Sequence, residues 1–430
     1  IDGQRYAVDT LRPFFTFVTI SHCPLIDSLL SNEVRLFIQK HLHDDPHQLL
    51  LRYKNINNVP ISSVVDQIIG RQKAKEKLPS WYGHPDTLYP PSLNLEQSSS
   101  EQAASFKINI LDKELSGGLK DKTIIDLTGG FGVDSLKFSM AFKRVHLVEP
   151  NASLLEITKH NLQNLGVTNI SYHNATAEQH LFSLPDDTSF DVIYADPSRR
   201  IQGSKKVFSL ADCEPDMLKL QEKIWQFTNH LLVKCSPLLD IDTGLNQLTY
   251  RKKAYVVAIQ NECKELIFHC DKKKSDSEIF IDAIDLKDTK QAFSFSLSDE
   301  RLAQARYTEP LKYLYEPNAA IMKAGAFKMI ASTFDIGKLH PNTHLYTSDD
   351  LIKKFPGRIF ELVSAAKSDP KEITNFFPER KANVITRNYP ISVEALRKKI
   401  NLKEGGDKYL IACSGIKKKY LLVANRLDRL

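Results

Sequence analysis

Long apolar runs are missing from this 430-residue chain. No stretch approaches the roughly 20 residues that a membrane-spanning helix needs, and the nearest candidate, 14–20, soon meets His22, Pro24 and Asp27. That segment lacks the apolar core of a secretion signal. Cysteine is also sparse, with six residues scattered at 23, 213, 235, 263, 270 and 413 and no C-x-x-C pair. Such spacing argues against a structural zinc site and points to reduced thiols. The thirteen histidines form no H-E-x-x-H pattern, which removes the familiar metallohydrolase signature. The expectation is a cytoplasmic protein with neither a membrane segment nor a metal.

A large net charge is lacking too. The total is +6, with 42% hydrophobic and 26% charged residues, an ordinary globular composition in a chain long enough for two or three domains. The distribution is uneven. Leu351 to Leu430 carries 18 Lys and Arg against 8 Asp and Glu, so the basic character sits at the C-terminal end. Clustered cations of this kind displace counterions from phosphates and suit a polyanion; a solvated lysine-rich face is the plainer reading of the same residues.

The informative stretch is DLTGGFGVD, Asp126 to Asp134, where apolar Thr123–Ile125 runs into an acid and a glycine-rich turn. Glycines permit the turn and a close ligand approach that a Cβ would block. The spacing of Gly129, Gly130 and Gly132 departs from the G-x-G-x-x-G of dinucleotide sites, and Asp126 would repel crowded phosphates. An acid here suits the ribose and amino-acid ends of S-adenosylmethionine (SAM). Thr128 belongs to the same loop.

Two more apolar runs end in acids. RVHLVEP places Glu149 where a carboxylate can accept both ribose hydroxyls, and FDVIYADPSRR places Asp196 before Pro197, Ser198, Arg199 and Arg200. Ligands of open α/β sheets bind outside the carboxyl ends of the strands, so Asp126, Glu149 and Asp196 are expected on one rim. Between them, Ser153 and Glu156 have capping-box spacing, and 169–181 reads as a third strand and turn in which Asn174, Thr176 or Ala177 lies at the adenine. The alternation continues through HLLVKCSP to a hairpin of AYVVAIQ and KELIFHC, predicting a doubly wound, mainly parallel sheet.

With LPSWYG (Leu78 to Gly83), YPPSLNLEQSSSEQAASFK (Tyr89 to Lys107), the Asp126 loop, DPSRR and KCSPLLD (Lys234 to Asp240), the chain resembles a bacterial family of class I SAM-dependent methyltransferases that carry a C-terminal THUMP-like domain. The likeness covers most of the chain beyond residue 30. It implies a Rossmann-like methyltransferase sheet, an N-terminal helical region and a small C-terminal α/β domain that binds RNA. It also implies SAM as cofactor, with Gln97, Ser99 and Ser100 flanking it; Ser100 equally suits a helix N-cap. The core loop is similar to that of cap trimethylguanosine synthases, whose aromatic-bearing proline motif is absent here.

The expected layout is an N-terminal extension over 1–30, helices over 31–95, a methyltransferase domain over 96–300, a linker or ferredoxin-like segment over 301–350 and a THUMP-like domain over 351–430. Asp196 has three open roles: positioning a reacting nitrogen or taking its proton, holding the methionine amino group, or shaping the turn. Arg199, Arg200 and Lys234 are candidate substrate contacts, since arginine clamps phosphate and stacks on bases; salt bridges within the fold are the alternative. Pro197 and Ser198 complete the candidate catalytic turn. The favoured activity is methylation of a base in tRNA or rRNA. The rivals are uridine-C5 methylation with Cys235 as nucleophile, a small-molecule methyltransferase, and a non-catalytic SAM- or RNA-binding protein.

Overall fold

The computed structural model describes residues 24–199, 209–274, 278–287, 292–366 and 370–427. They sort into two compact units, one formed by the chain up to Ser98 together with Ala152–Val167, the other by Ser99–Asn151 and Thr168–Leu430.

The first unit is helical. Helix Ile61–Lys77 buries Val64, Val65 and Ile68 against Val34 and Ile38 of helix Asn32–Lys40 and Leu49 of helix Pro46–Arg52. Gly70 gives Tyr89 room, for a Cβ there would lie 2.2 Å from the Tyr89 Cβ. Gln67 then bonds both backbone groups of Tyr89, and Asn161 of helix Ala152–Asn164 does the same for Leu88. That helix begins at Ala152, one residue before the expected cap, so Ser153 lies inside it rather than at its N-cap.

The second unit holds two sheets. The larger has nine strands, β1 (Thr123–Asp126), β2 (Arg144–Val148), β3 (Ile170–His173), β4 (Val192–Ala195), β5 (His230–Cys235), β6 (Arg251–Ile259), β7 (Glu262–Asp271), β8 (Phe280–Asp285) and β9 (Phe293–Ser296), in the order 9-8-6-7-5-4-1-2-3. Strands β1 to β5 are parallel, and β7 inserts antiparallel between β5 and β6. Of the five parallel strands, β1, β2, β4 and β5 are mostly buried, as a sheet covered on both faces requires, while the edge strand β3 is only half-buried. Residues 169–181, expected as strand and turn, instead give β3 and then helix Ala177–Ser183.

The second sheet has seven strands, β10 (Tyr313–Pro317), β11 (Gly337–His340), β12 (Thr343–Ser348), β13 (Gly357–Ala366), β14 (Lys381–Arg387), β15 (Lys403–Ser414) and β16 (Lys419–Arg426), ordered 11-12-10-13-16-15-14. Tyr313–Pro317, within the segment expected as linker or ferredoxin-like, is therefore an interior strand. Two short helices, Ala319–Ala324 and Met329–Thr333, follow it, the first ended by Gly325 as a left-handed C-cap with φ 78°, as such caps commonly are. Glu316 is buried and accepts from Arg358 Nε and Arg387 Nε, both at 2.6 Å. The two sheets share one core: the apolar cluster containing Ile193, Val233 and Phe268 continues into Tyr315, Ile321, Tyr346 and Ile359.

Candidate active site

The turn after β1 is built from its own side chains. Asp126 Oδ1 accepts the Thr128 N–H (3.0 Å) and hydroxyl (3.3 Å), and Oδ2 accepts the Ser135 hydroxyl (2.7 Å). Thr128 Oγ1 in turn accepts the Asp196 N–H at 2.7 Å, stitching the ends of β1 and β4 together. Gly130 and Gly132 take positive φ of 52° and 81°, and the Gly130 N–H donates to Glu149 Oε2 at 2.9 Å. The three strand-end acids thus meet on one rim.

Their charges differ in how they are balanced. Burial pushes the Asp126 carboxyl up to about 7, against the opposing hydrogen bonds from Ser135 and Thr128. Burial also raises Glu149, opposed by the N–H groups of Asn151 and Gly130. Asp196 is raised by burial as well, but Lys234 draws it back; the Lys234 ammonium is bonded to Asp196 Oδ2.

Beneath this rim lies a second group of charges. Lys107, fully buried, donates to Asp134 Oδ1 and Ser99 Oγ at 2.8 Å each, and pairs with Glu265 Oε2 at 3.0 Å. Ser99 Oγ lies 2.8 Å from Asp134 Oδ2 and 3.1 Å from Glu265 Oε1, and the Tyr194 hydroxyl donates to Asp134 Oδ2 at 2.9 Å. Burial would raise Asp134, yet Lys107 and then Lys234 together hold it below the usual carboxylate range. Sequence reading missed the roles of Lys107, Asp134, Tyr194 and Glu265; the signal was a lysine and a glutamate placed on otherwise buried faces of a helix and a strand.

The remaining candidates are placed as follows. Asn174 donates to the carbonyls of Glu149 and Pro150, fixing the end of β2. Thr176 caps helix Ala177–Ser183 in a reciprocal box with Gln179. Ser100 accepts from the Ala103 N–H as the N-cap of helix Glu101–Glu114. Pro197 is buried, and Ser198–Arg199 pairs with Cys213–Glu214. Arg200, Lys205 and Lys206 lie outside the described residues. Lys234, a candidate substrate contact, has a side chain 10% exposed and tied to Asp196. Cys235 is buried in the core, and burial first, then Cys213 and Asp196, push its thiol well above the usual range. Burial of this kind disfavours the thiolate that a nucleophilic role needs.

The strand order, with β7 antiparallel between β5 and β6, and the acids at three parallel strand ends define a class I methyltransferase fold. Three family profiles match parts of the chain: "Conserved hypothetical protein 95" over residues 100–221, a ferredoxin-like domain over 313–356 and a "THUMP domain-like" region over 357–426. A solved structure of a candidate methyltransferase from Porphyromonas gingivalis W83 is 30% identical, covers 91% of this chain and 97% of its own, and superposes with a TM-score of 0.79. The chain belongs to this family of methyltransferases with a C-terminal THUMP-like domain. A ubiquinone/menaquinone biosynthesis C-methyltransferase of Haemophilus ducreyi is 39% identical over 84 residues, 19% of this chain. The match spans only 31% of that curated relative's length. An rRNA methylase from Streptococcus thermophilus, 15% identical over 39% of this chain and 94% of its own, has a TM-score of 0.29, too slight a likeness to bear on activity.

Proposed function

We propose that this protein transfers a methyl group from SAM to a base of RNA, in tRNA or rRNA. The observation that carries the reading is the rim itself. Asp126 and Glu149 face the glycine turn as two buried carboxylates paired to no lysine or arginine among the described residues, whereas Asp134 and Asp196 each have an ammonium. A cationic ligand fits the unbalanced half. Gly129 fits it too: a Cβ there would fall 2.3 Å from Leu147 Cδ2, so the turn is packed as closely as glycine allows.

When bound, SAM would supply an electrophilic methyl carbon, its sulfur leaving with the C–S bond pair as a neutral thioether. An acceptor nitrogen brings its own lone pair, so the chain's main task is alignment. Asp196 can accept a hydrogen bond from that nitrogen and, after transfer, the proton it loses. Glu149 keeps acceptor capacity for ribose hydroxyls beyond its two backbone N–H bonds. The THUMP-like region and its basic surface support RNA as the substrate class. Buried Cys235 disfavours the uridine-C5 route, which needs a thiolate.

The test is incubation of the purified protein with methyl-labelled SAM and separated tRNA, rRNA and small-metabolite fractions from cells lacking it, with Asp196→Ala alongside. Label entering one RNA fraction with the intact protein alone is expected. Label confined to the metabolite fraction, or to none despite SAM binding, rejects the RNA reading.

A further inference from the structure

The Asp196 carboxylate has an asymmetric setting. Its backbone N–H is fixed to Thr128, its Oδ2 is tied to Lys234, and among the described residues none donates to Oδ1. The Asp196 side chain is 26% exposed while that of Lys234 is 10% exposed, so the pair points carboxylate outward and ammonium inward. The groups that act on it come from several elements: Lys234 and Cys235 on β5, Tyr194 on β4, Asp126 on β1, Asp134 on helix Val133–Ala141 and Lys107 on helix Glu101–Glu114.

Lys234 has competitors for its charge. Asp196 acts on it most strongly, then Glu265 and Asp134. Both rivals are held elsewhere by Lys107, which reaches Asp134 and Glu265 directly and Ser99 between them. Three carboxylates and two ammoniums therefore form one set, buried but for Asp196 at the rim, and the division of contacts leaves Lys234 for Asp196. Buried charges retained in a core are tolerated only when paired in this way.

We infer that Lys234 is a positioning residue for methyl transfer: it anchors one oxygen of Asp196 from below and presents the other, as an anion, to the acceptor at the rim, while Lys107 keeps Asp134 and Glu265 from taking its place. The inference rests on the reading that Asp196 receives the acceptor group. It replaces the expected contact between Lys234 and substrate with an indirect role.

The experiment follows the Asp196 carboxyl by carbon-13 NMR in the full chain labelled at aspartate Cγ, the signal being identified by its loss in Asp196→Asn. Wild type, Lys234→Met and Lys234→Arg are compared, with SAM affinity measured by calorimetry and label transfer to RNA measured across pH. In Lys234→Met the Asp196 midpoint should rise by about one pH unit or more, as expected when a partnered acid loses its cation. Transfer at pH 7 should fall roughly 30-fold or more, its acidic limb moving up with the carboxyl, while SAM affinity changes less than about threefold, the split expected of an interaction that acts in transfer rather than cofactor binding. Lys234→Arg should recover much of the loss. A midpoint in Lys234→Met that stays where the wild type has it overturns the inference, as does SAM affinity falling in step with transfer. If Lys234→Met does not fold, the double variant Lys234→Met/Asp196→Asn decides: regained folding supports the pairing, and no gain in stability refutes it. Should the wild type label no RNA, the acceptor reading falls alone, and the titration still decides whether Lys234 governs Asp196.

Discussion

On the proposed reading, Asp126 at the end of β1 senses the charge of the cofactor. Burial pushes its carboxyl up to about 7 against three hydrogen bonds, and among the described residues no ammonium pairs with it. A raised carboxyl contributes to folded-state stability fully below its ordinary value, and that contribution is lost as pH rises through about 7. A cationic ligand binds the ionised form better, so SAM affinity is expected to increase severalfold, up to about tenfold, between pH 6 and 8. Calorimetry at matched ionic strength checks this, and a flat profile would remove Asp126 from the cofactor site. Cys235 gives the opposite kind of prediction. Since its thiol is buried and raised, Cys235→Ser should retain at least about half of the transfer rate, whereas loss of a true nucleophile costs orders of magnitude.

At the scale of elements, the glycine turn between β1 and helix Val133–Ala141 is held by close packing as well as by hydrogen bonds. Gly129→Ala would force a methyl group against Leu147 and to within 3.2 Å of the Val148 carbonyl. Overpacking of this kind costs about 1–3 kcal/mol, so a lowered melting temperature is expected together with weakened SAM binding. Loss of neither would show that the turn can relax. The strand-end acids were legible because each follows an apolar run, and a parallel strand order brings such ends together. The charges below them were not. Lys107, Asp134, Lys234 and Glu265 come from four separate elements, and sequence gives no measure of which lysine is buried. Lys234 read as a candidate substrate contact, since its neighbours in sequence, Cys235 and Ser236, say nothing of its pairing with Asp196. Likewise, 313–317 lacked a strong strand pattern, and its pairing with β12 and β13 makes it one.

At the scale of the molecule, the basic end of the chain can be tested without cutting it. Truncation after Leu351 would remove β13, the antiparallel partner of β10, and with it Phe355 and Ile359 of the shared core; its effect on RNA binding would be confounded by unfolding. Charge reversal is cleaner. Lys417 and Lys418 in the turn before β16, and Lys419 at its first position, are exposed. Their joint replacement by Glu should leave stability within about 0.5 kcal/mol per site. RNA affinity should fall, and the slope of log affinity on log salt should shrink by about 2 to 3. An unchanged slope would place the RNA on another surface.

The continuous core beneath Ile193, Phe268, Tyr315 and Tyr346 also sets a length scale. Two parts joined by a flexible tether can choose among many positions along a polynucleotide, but parts welded through one apolar cluster cannot. An RNA gripped by the C-terminal strands would present its target to Asp196 at a fixed offset, so the enzyme would select a nucleotide by counting from an anchor. Lengthening a substrate between anchor and target by a single base pair would then abolish modification, while changing the sequence between them would not.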